Sequence, residues 1–423
     1  MSEPINEKSL TIEDIEREVR EVYLLKDVGV IRVIFATIIS NRGNLDGDPV
    51  WLLLMAGSSS GKTALLQLLD KCGTYIHHID TLTTNTFASG LKRDTETSLL
   101  HKAKNGILVF KDFTTLTSMN EEGLREIMGQ LRSIFDGSFH KKTGNDADVD
   151  FEGKIGVIAA GTIEVQRKMR QFSKQGERFV NYIMDVADSK EIGRRALYNQ
   201  KGLKTKRESL ADISAKFINA KLGKILDSPK DLPKKIEEKL IELTNFCTLA
   251  RSPVEMNKKN ENIVAFVGNR EELPRVIIQL KSLAIALMVI ADEKELSDLS
   301  AKIIYKVALD SIPVERRIVL RMLALYRDST TKNMAMKLNY PSDTVRGWLN
   351  QVNALKLVDR QAAGGGDTWT LKKEFKDVLI EFEGLEIIDS PLEPTEEEMS
   401  NAYIDEVSSD DDKKLAQLRL DEF

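Results

Sequence analysis

The 423-residue chain predicts an α/β fold built on a parallel sheet. Three observations carry that reading. Residues 50–55 (Val-Trp-Leu-Leu-Leu-Met) are a continuous apolar run, as in a strand covered on both faces, and the run ends in a Gly/Ser-rich turn that opens a helix. Further short apolar strands, at 75–79, 107–110, 155–160 and 180–186, alternate with helical stretches. From about Lys201 the alternation stops, and helical segments dominate to Asp310.

In chain order, residues 9–28 form a first helix. Ser9 or Thr11 can cap it, and Ile12, Ile15, Val19, Val22 and Tyr23 recur at helical spacing. Residues 28–39 form a second, more buried helix. Residues 41–48 (Asn-Arg-Gly-Asn-Leu-Asp-Gly-Asp) turn the chain into the strand at 50–55, and a helix starts at Thr63. The expected organisation is an N-terminal helix (1–27), an α/β core (28–200), an all-α segment (201–310), a third unit (311–385) and an acidic tail (386–423) whose composition predicts disorder. There is no internal repeat.

Composition narrows the class. Hydrophobic residues make up 42% and charged residues 30%, the balance of a globular protein. No apolar run reaches the roughly 18–20 residues of a membrane span. The N-terminus is polar and mixed in charge, unlike a secretory signal. The expected location is therefore the cytoplasm, with no membrane partner. Cys72 and Cys247 stand far apart without metal-ligand spacing and read as buried or idle thiols. Net charge is −5, yet residues 391–423 hold eleven Asp/Glu against three Lys/Arg, which leaves +3 on the rest. That remainder is compatible with a basic surface on the folded part.

Residues 56–63, Ala-Gly-Ser-Ser-Ser-Gly-Lys-Thr, meet the phosphate-loop pattern Gly/Ala-x4-Gly-Lys-Thr/Ser in the context it requires, after a strand and before a helix. Gly57 and Gly61 let the backbone curl, so that N–H groups along Ala56, Gly57, Ser58, Ser59, Ser60, Gly61, Lys62, Thr63 and Ala64 point at phosphate oxygens. The start of the helix adds positive potential. Lys62 is placed to reach the β- and γ-phosphates, and Thr63 offers a hydroxyl to Mg²⁺. ATP and Mg²⁺ are the expected ligands.

An acid at the end of a second apolar strand can complete such a site. In Asn105 to Phe113 (Asn-Gly-Ile-Leu-Val-Phe-Lys-Asp-Phe) that acid is Asp112, which would hold Mg²⁺ through water. A glutamate usually follows to orient the attacking water; here Phe113 follows, so Asp112 either fills the glutamate position or the base lies elsewhere, with Asp80 as the alternative. Thr162 ends the strand Lys-Ile-Gly-Val-Ile-Ala-Ala-Gly-Thr and suits a group that senses the γ-phosphate. Arg178, in Gly-Glu-Arg-Phe, could reach a neighbouring subunit's γ-phosphate and neutralise transition-state charge. His77 and His78 read as strand-end polar residues.

The order of these motifs resembles the AAA+ ATPases, ring-forming oligomeric motors, over roughly residues 28–300. Ser138 to Lys154 reads as a β-hairpin with a Thr-Gly-Asn tip ahead of the Thr162 strand. This is similar to the clade with a hairpin before the first sensor, which includes replicative helicases, the branch-migration motor of recombination and enhancer-binding activators. The resemblance implies that the hairpin projects into a ring pore, with His140, Lys141 and Lys142 carrying its charge. It also implies self-association into a ring, expected to be a hexamer. Segment 201–310 resembles the helical lid, where Leu-Pro-Arg-Val at 273–276 looks like the second-sensor helix and Arg275 would contact the γ-phosphate; Arg194 and Arg195 are alternatives.

The third unit places helices at 313–326, 331–338 and 343–355, then short strands at 357–360 and 368–371 joined by a Gly-rich segment. That is the order of a winged helix. Its third helix bears Thr344, Arg346, Asn350, Gln351 and Asn353, side chains suited to base edges in a major groove. Trp348 and Trp369 read as core. The tail ends Leu-Asp-Glu-Phe and either recruits a protein partner or solubilises the chain. The leading expectation is an ATP-dependent, ring-forming DNA motor, helicase-like or initiator-like. The alternative is a slowly hydrolysing nucleotide switch that assembles on DNA or a protein partner. An enhancer-binding activator ranks last, because Thr86-Phe87-Ala88-Ser89-Gly90 is only faintly like a σ-factor loop.

Overall fold

The computed structural model describes residues 10–43, 48–87, 98–141, 149–170, 177–198, 201–225, 231–257, 259–363 and 366–386, with 388, 390, 392, 393 and 395. The chain divides into two compact units. Unit 1 takes Met1–Phe172, Glu177–Glu237 and Pro274–Val307, and unit 2 takes Ser173–Gly176, Glu238–Leu273 and Ala308–Phe423.

Unit 1 opens with α1 (Ile12–Val22) and α2 (Gly29–Arg42). Thr11 and Asp14 close a reciprocal capping box on α1. The chain then runs through β1 (Trp51–Met55), α3 (Lys62–Leu66), β2 (Ile76–Ile79), α4 (Leu99–Lys102), β3 (Ile107–Phe110), α5 (Glu121–Phe135), β4 (Ser138–Lys141), β5 (Val149–Glu152), β6 (Gly156–Gly161), α6 (Ile163–Arg170), β7 (Phe179–Ile183), α7 (Ser189–Tyr198) and α8 (Leu203–Lys224). Five strands form one sheet in the order β2-β3-β6-β1-β7, and each neighbouring pair is parallel. β1 therefore has a strand on either side, which is why its sequence is apolar throughout and all five of its residues are buried.

Alternate residues divide the sheet's two faces. Trp51, Leu53, Met55, Leu108, Phe110 and Val157 join a core with α5, α6 and a 3-10 turn at Phe113–Ser118. Each large apolar side chain fully buried there contributes roughly 1.5–3 kcal/mol. α2 packs on β1 and β6. The approach is close: a Cβ on Gly156 would stand 2.6 Å from the Asn41 side chain. Asn41 in turn receives the Val50 N–H at 3.0 Å and donates to the Val50 carbonyl at 2.8 Å, so the start of β1 is fixed before the loop begins.

The segment expected to be all-α is not. After α9 (Lys234–Ala250) comes an antiparallel hairpin of β8 (Val254–Asn257) and β9 (Asn260–Val267), and only then α10 (Leu273–Ile290) and α11 (Asp298–Asp310). α10 is long and apolar enough to cross a membrane by length and composition, which the sequence reading did not register, and 67% of it is buried inside the protein, as in a core helix. Nor does α1 stand apart: Arg32 on α2, 3% exposed, donates to Glu16 at 2.5 Å and to Glu13 at 2.8 Å.

In unit 2, α12 (Val314–Leu325), β10 (Ser329–Thr330), α13 (Thr331–Leu338), α14 (Ser342–Ala354), β11 (Val358–Ala363), β12 (Gly366–Leu371) and α15 (Lys373–Glu383) follow in order. The strands form an antiparallel sheet, β10-β12-β11. Trp369 is fully buried, with its indole N–H on Thr331 Oγ1 at 2.9 Å, and Trp348 packs edge-on against Tyr340. Residues 396–423, most of the expected acidic tail, lie outside the described residues.

Candidate functional site

The loop between β1 and α3 sits at the carboxyl end of β1, an interior strand between β6 and β7. Its left-handed residues are Ser59 (φ 61°) and Gly61 (φ 89°). Gly57 is not among them, so the curl expected of Gly57 is made by Ser59 instead. A side chain at Gly61 would meet no atom within 4 Å, but its φ is one that L-residues rarely adopt, so glycine is required there by conformation. Alternation of such φ values is how successive N–H groups are turned toward one anion. Lys62 Nζ donates to the carbonyls of Ala56 and Gly57, both at 2.7 Å, and lies 3.3 Å from Ser60 Oγ. The ammonium thus lies within the curl. Ser58, Ser59 and Thr63 are exposed, Ala56 is buried, and Ala64 is half-buried. α3 is shorter than expected and continues as a 3-10 turn, Gln67–Leu69.

Register places the other residues. Phe110 pairs with Ala159, and Ala159 with Leu53, so Asp112 stands level with Gly161 and Met55. Strands are about 4.8 Å apart, which puts Asp112 roughly 10 Å across from the end of β1, with Thr162 ending the strand between them. Asp112 is exposed and caps the turn after β3, accepting from Thr114 N at 2.8 Å and from the Thr114 hydroxyl. Phe113 is fully buried in the core, so the position after Asp112 serves packing. Lys111 turns the other way, 3.6 Å from Asp70, whose carboxylate also lies 3.1 Å from His78 Nε2. Asp80, level with Lys111, is exposed at the end of β2.

No group of three or more His, Cys, Asp or Glu side chains converges among the described residues. A cation here would be held by Thr63, Asp112 and phosphate oxygens together, and an exposed hydroxyl and carboxylate on one sheet edge fit that role.

Two expected residues stand elsewhere. Arg178 precedes Phe179, which pairs with Trp51, so it lies at the amino end of the sheet, about 17 Å from the loop along β1. Arg275 is on α10, and Gln279 one turn later donates to the carbonyls of Pro49 and Arg178 at 3.1 and 3.0 Å. That fixes α10 at the same amino edge. Arg275 therefore does not reach its own chain's loop, contrary to the lid reading. Arg195 donates to the carbonyls of Arg20 and Glu21 at the end of α1.

The hairpin before Thr162 is present as β4 and β5, with Phe139 opposite Phe151 and both buried in the sheet's core. Two of its basic side chains have acidic neighbours. His140 Nδ1 lies 2.5 Å from Asp150, and Lys141 donates to Glu126 at 2.8 Å. Lys142 and the Thr-Gly-Asn tip lie outside the described residues. On α14, Thr344 and Arg346 are exposed in the first turns. Asn350 is not available to a base: its amide donates to the Asn262 carbonyl of β9 at 2.7 Å. Gln351 accepts from buried Arg316 at 2.9 Å.

Residues that sequence reading missed also meet at the carboxyl edge. Asp27 accepts from the Tyr182 hydroxyl at 2.7 Å and from Gly29 N at 2.9 Å, and burial raises its pKa despite those bonds. A Cβ on Gly29 would stand 2.5 Å from that hydroxyl, so the glycine is needed for the approach. Tyr182 could be read as a strand residue, but nothing local announced that its partner lay 155 positions away. Cys72 and Cys247 are buried and their thiols are pushed up to about 12, so neither is a thiolate at neutral pH.

Burial, reinforced by Lys111, holds the His78 pKa below its ordinary 6.5, and burial does the same for His77. A folded-state pKa below the unfolded one means that folding disfavours the proton. The stability tied to neutral His78 is present above pH 6.5 and is lost as pH falls below it. Thermal unfolding of unit 1 is expected to shift to lower temperature between pH 7 and pH 5. His78→Gln should flatten that dependence, measured by scanning calorimetry across the range.

The chain matches no known family model, and no curated protein is similar to it.

Proposed function

We propose that the chain is an ATP-hydrolysing, AAA+-like protein whose sites are shared between copies in a ring, and that it works on DNA. The observation that carries this reading is the loop at 56–63, with left-handed Ser59 and Gly61 and with Lys62 inside its curl, at the end of an interior parallel strand. Ligands of open α/β sheets bind at the carboxyl ends of the strands, as this placement requires. The strand order, the hairpin between β3 and β6, and the acid and hydroxyl at the ends of β3 and β6 support the same reading.

Bound ATP supplies the phosphoanhydride, and Mg²⁺ spreads the charge that builds on its oxygens. Lys62 would exchange the Ala56 and Gly57 carbonyls for phosphate oxygens. Thr63 and Asp112 would hold the cation, and Thr162 would orient the terminal phosphate. Arg178 is too far from its own loop to act there, so its guanidinium would serve a neighbouring copy. In unit 2, the order helix, strand, two helices and two strands supports a winged helix. Its DNA contacts would centre on Thr344 and Arg346, because Asn350 is engaged by β9.

The alternative, a slow nucleotide switch, is favoured by one observation: Phe113, buried in the core, stands where an activating glutamate is usual. Turnover of ATP with and without single-stranded DNA separates the two. A motor is expected to be stimulated severalfold by DNA; an unchanged rate points to the switch. Equal mixing of Lys62→Ala and Arg178→Ala chains tests the shared site. Each alone is expected to be inactive and the mixture active; a mixture as inactive as its parts would rule the shared site out.

A further inference from the structure

The helix assigned above to base contacts is open only at its start. On α14, Ser342, Asp343, Thr344 and Arg346 are exposed, whereas Gly347 is buried and Asn350, Gln351, Asn353 and Ala354 are half-buried. Asn350 and Asn353, four and seven positions after Arg346, share its face of the helix, the face that would follow it into a groove. In this protein β9 packs along α14, and the Asn350 amide donates to the Asn262 carbonyl at 2.7 Å. The hairpin therefore covers the face of α14 beyond its first turns.

That hairpin is firmly mounted. At its base, Gly268 N donates to the Pro253 carbonyl at 2.8 Å. Arg251 donates to Glu271 at 2.7 Å, and their side chains are 2% and 8% exposed. Buried Arg316 holds the carbonyls of Ala250 and Ser252 just before β8. Near the tip, Asn257 Oδ1 accepts from Lys259 N at 2.8 Å, and Asn260 Oδ1 accepts from Asn262 N at 3.0 Å. Asparagine side chains that bond the backbone two residues on fix a turn. Between the strands stand Lys258, outside the described residues, and Lys259, which is exposed. The hairpin thus holds a cation at a set position beside α14.

Base contacts specify a sequence, but cations on phosphates supply much of the affinity. Two exposed readers at the start of one helix therefore need phosphate contacts close by. Lys259 is three strand residues from Asn262, about 10 Å, and Arg346 is four helical residues from Asn350, about 6 Å. Adding the step from Asn262 to Asn350 leaves the two cationic residues at most about 25 Å apart, less than one turn of a duplex at about 34 Å. One duplex can meet both. We propose that the β8–β9 hairpin is a second DNA-contacting element, which keeps the rear of α14 out of the groove and sets Lys259 on a phosphate beside the bases met by Thr344 and Arg346. The inference rests on the DNA reading given above. It confines base recognition to the start of α14 and assigns the hairpin to affinity rather than to sequence.

Binding of the full chain to labelled duplexes of several sequences, followed by fluorescence anisotropy over a range of salt, provides the test. Each phosphate contact adds about 0.9 to the slope of log affinity against log salt. Lys259→Ala is expected to make that slope shallower by about 0.9 and to weaken binding about three- to tenfold at low salt, alike on every duplex. Lys259→Arg should keep the wild-type slope. Arg346→Ala should instead change the preference among duplexes. Lys259 is exposed, so thermal unfolding of its variants should match that of wild type. If wild type binds no duplex, this inference and the DNA reading fall together. If wild type binds and Arg346→Ala changes its preference, but Lys259→Ala leaves the slope unchanged, the hairpin contact is wrong and the DNA reading survives. A loss for Lys259→Ala that differs from one duplex to the next would also overturn the contact, since a phosphate carries no sequence.

Discussion

If the chain hydrolyses ATP as proposed, Lys62→Ala is expected to lower turnover at least about a hundredfold while leaving the fold intact, because it would remove the cation assigned to the transferring phosphate. The side chain is half-buried and its Nζ donates to the carbonyls of Ala56 and Gly57 in its own loop, both at 2.7 Å. Those carbonyls lie beside exposed Ser58 and Ser59 and can turn to water, so the structural cost should be small. Lys62→Arg should not rescue, since a planar guanidinium does not substitute for a compact ammonium inside a tight curl. The measurement is steady-state phosphate release, with circular dichroism as the folding check. Retention of more than about a tenth of wild-type turnover, well short of the loss expected for such a cation, would remove the loop from the mechanism.

Arg316→Met is expected to be the most destabilising single change in unit 2. Arg316 is fully buried and ties three parts of that unit together. Its Nη1 donates to the carbonyls of Ala250 and Ser252, at 2.8 and 2.7 Å, and its Nε donates to Gln351. Methionine fills much of the volume but supplies no donor. Each buried acceptor left unsatisfied costs about 1–3 kcal/mol, so a total of roughly 3–5 kcal/mol follows. For a unit of this size that is a fall of about 10 °C or more in the unfolding midpoint. Arg346→Ala, which trims a side chain 48% exposed, should change stability by less than about 0.5 kcal/mol. A midpoint for Arg316→Met within about 3 °C of wild type would show that the network carries little stability.

The parts that were legible in the sequence are those set by near neighbours. The loop, its strand and its helix lie within twenty residues, and each supports the others. α13, expected at 331–338, is found at Thr331–Leu338. The β8–β9 hairpin was missed although a signal exists: alternating Val254-Glu255-Met256 and the apolar run at 263–267 lie on either side of Asn-Lys-Lys-Asn, a turn composition. The apolar helices on either side of it drew the whole segment toward helix. Arg275 was misplaced for a different reason. Helical periodicity says which face of α10 is apolar, but not that Gln279 will anchor that helix at the amino edge of the sheet. The partner of Lys141 on the β4–β5 hairpin was not legible because Glu126, which accepts from it, belongs to α5.

The parallel order of the sheet has a consequence for assembly. All five strands run one way, so the loop at one end and Arg178 at the other are chemically unlike surfaces. A twofold pair that set the loop of each copy against the arginine of the other would complete two sites and stop there. A heterologous, head-to-tail arrangement, as in the proposed ring, instead pairs the loop of each copy with the arginine of the next. Such an arrangement has a direction, and inactivation would follow it: a copy lacking Lys62 silences itself, whereas a copy lacking Arg178 silences the next one along.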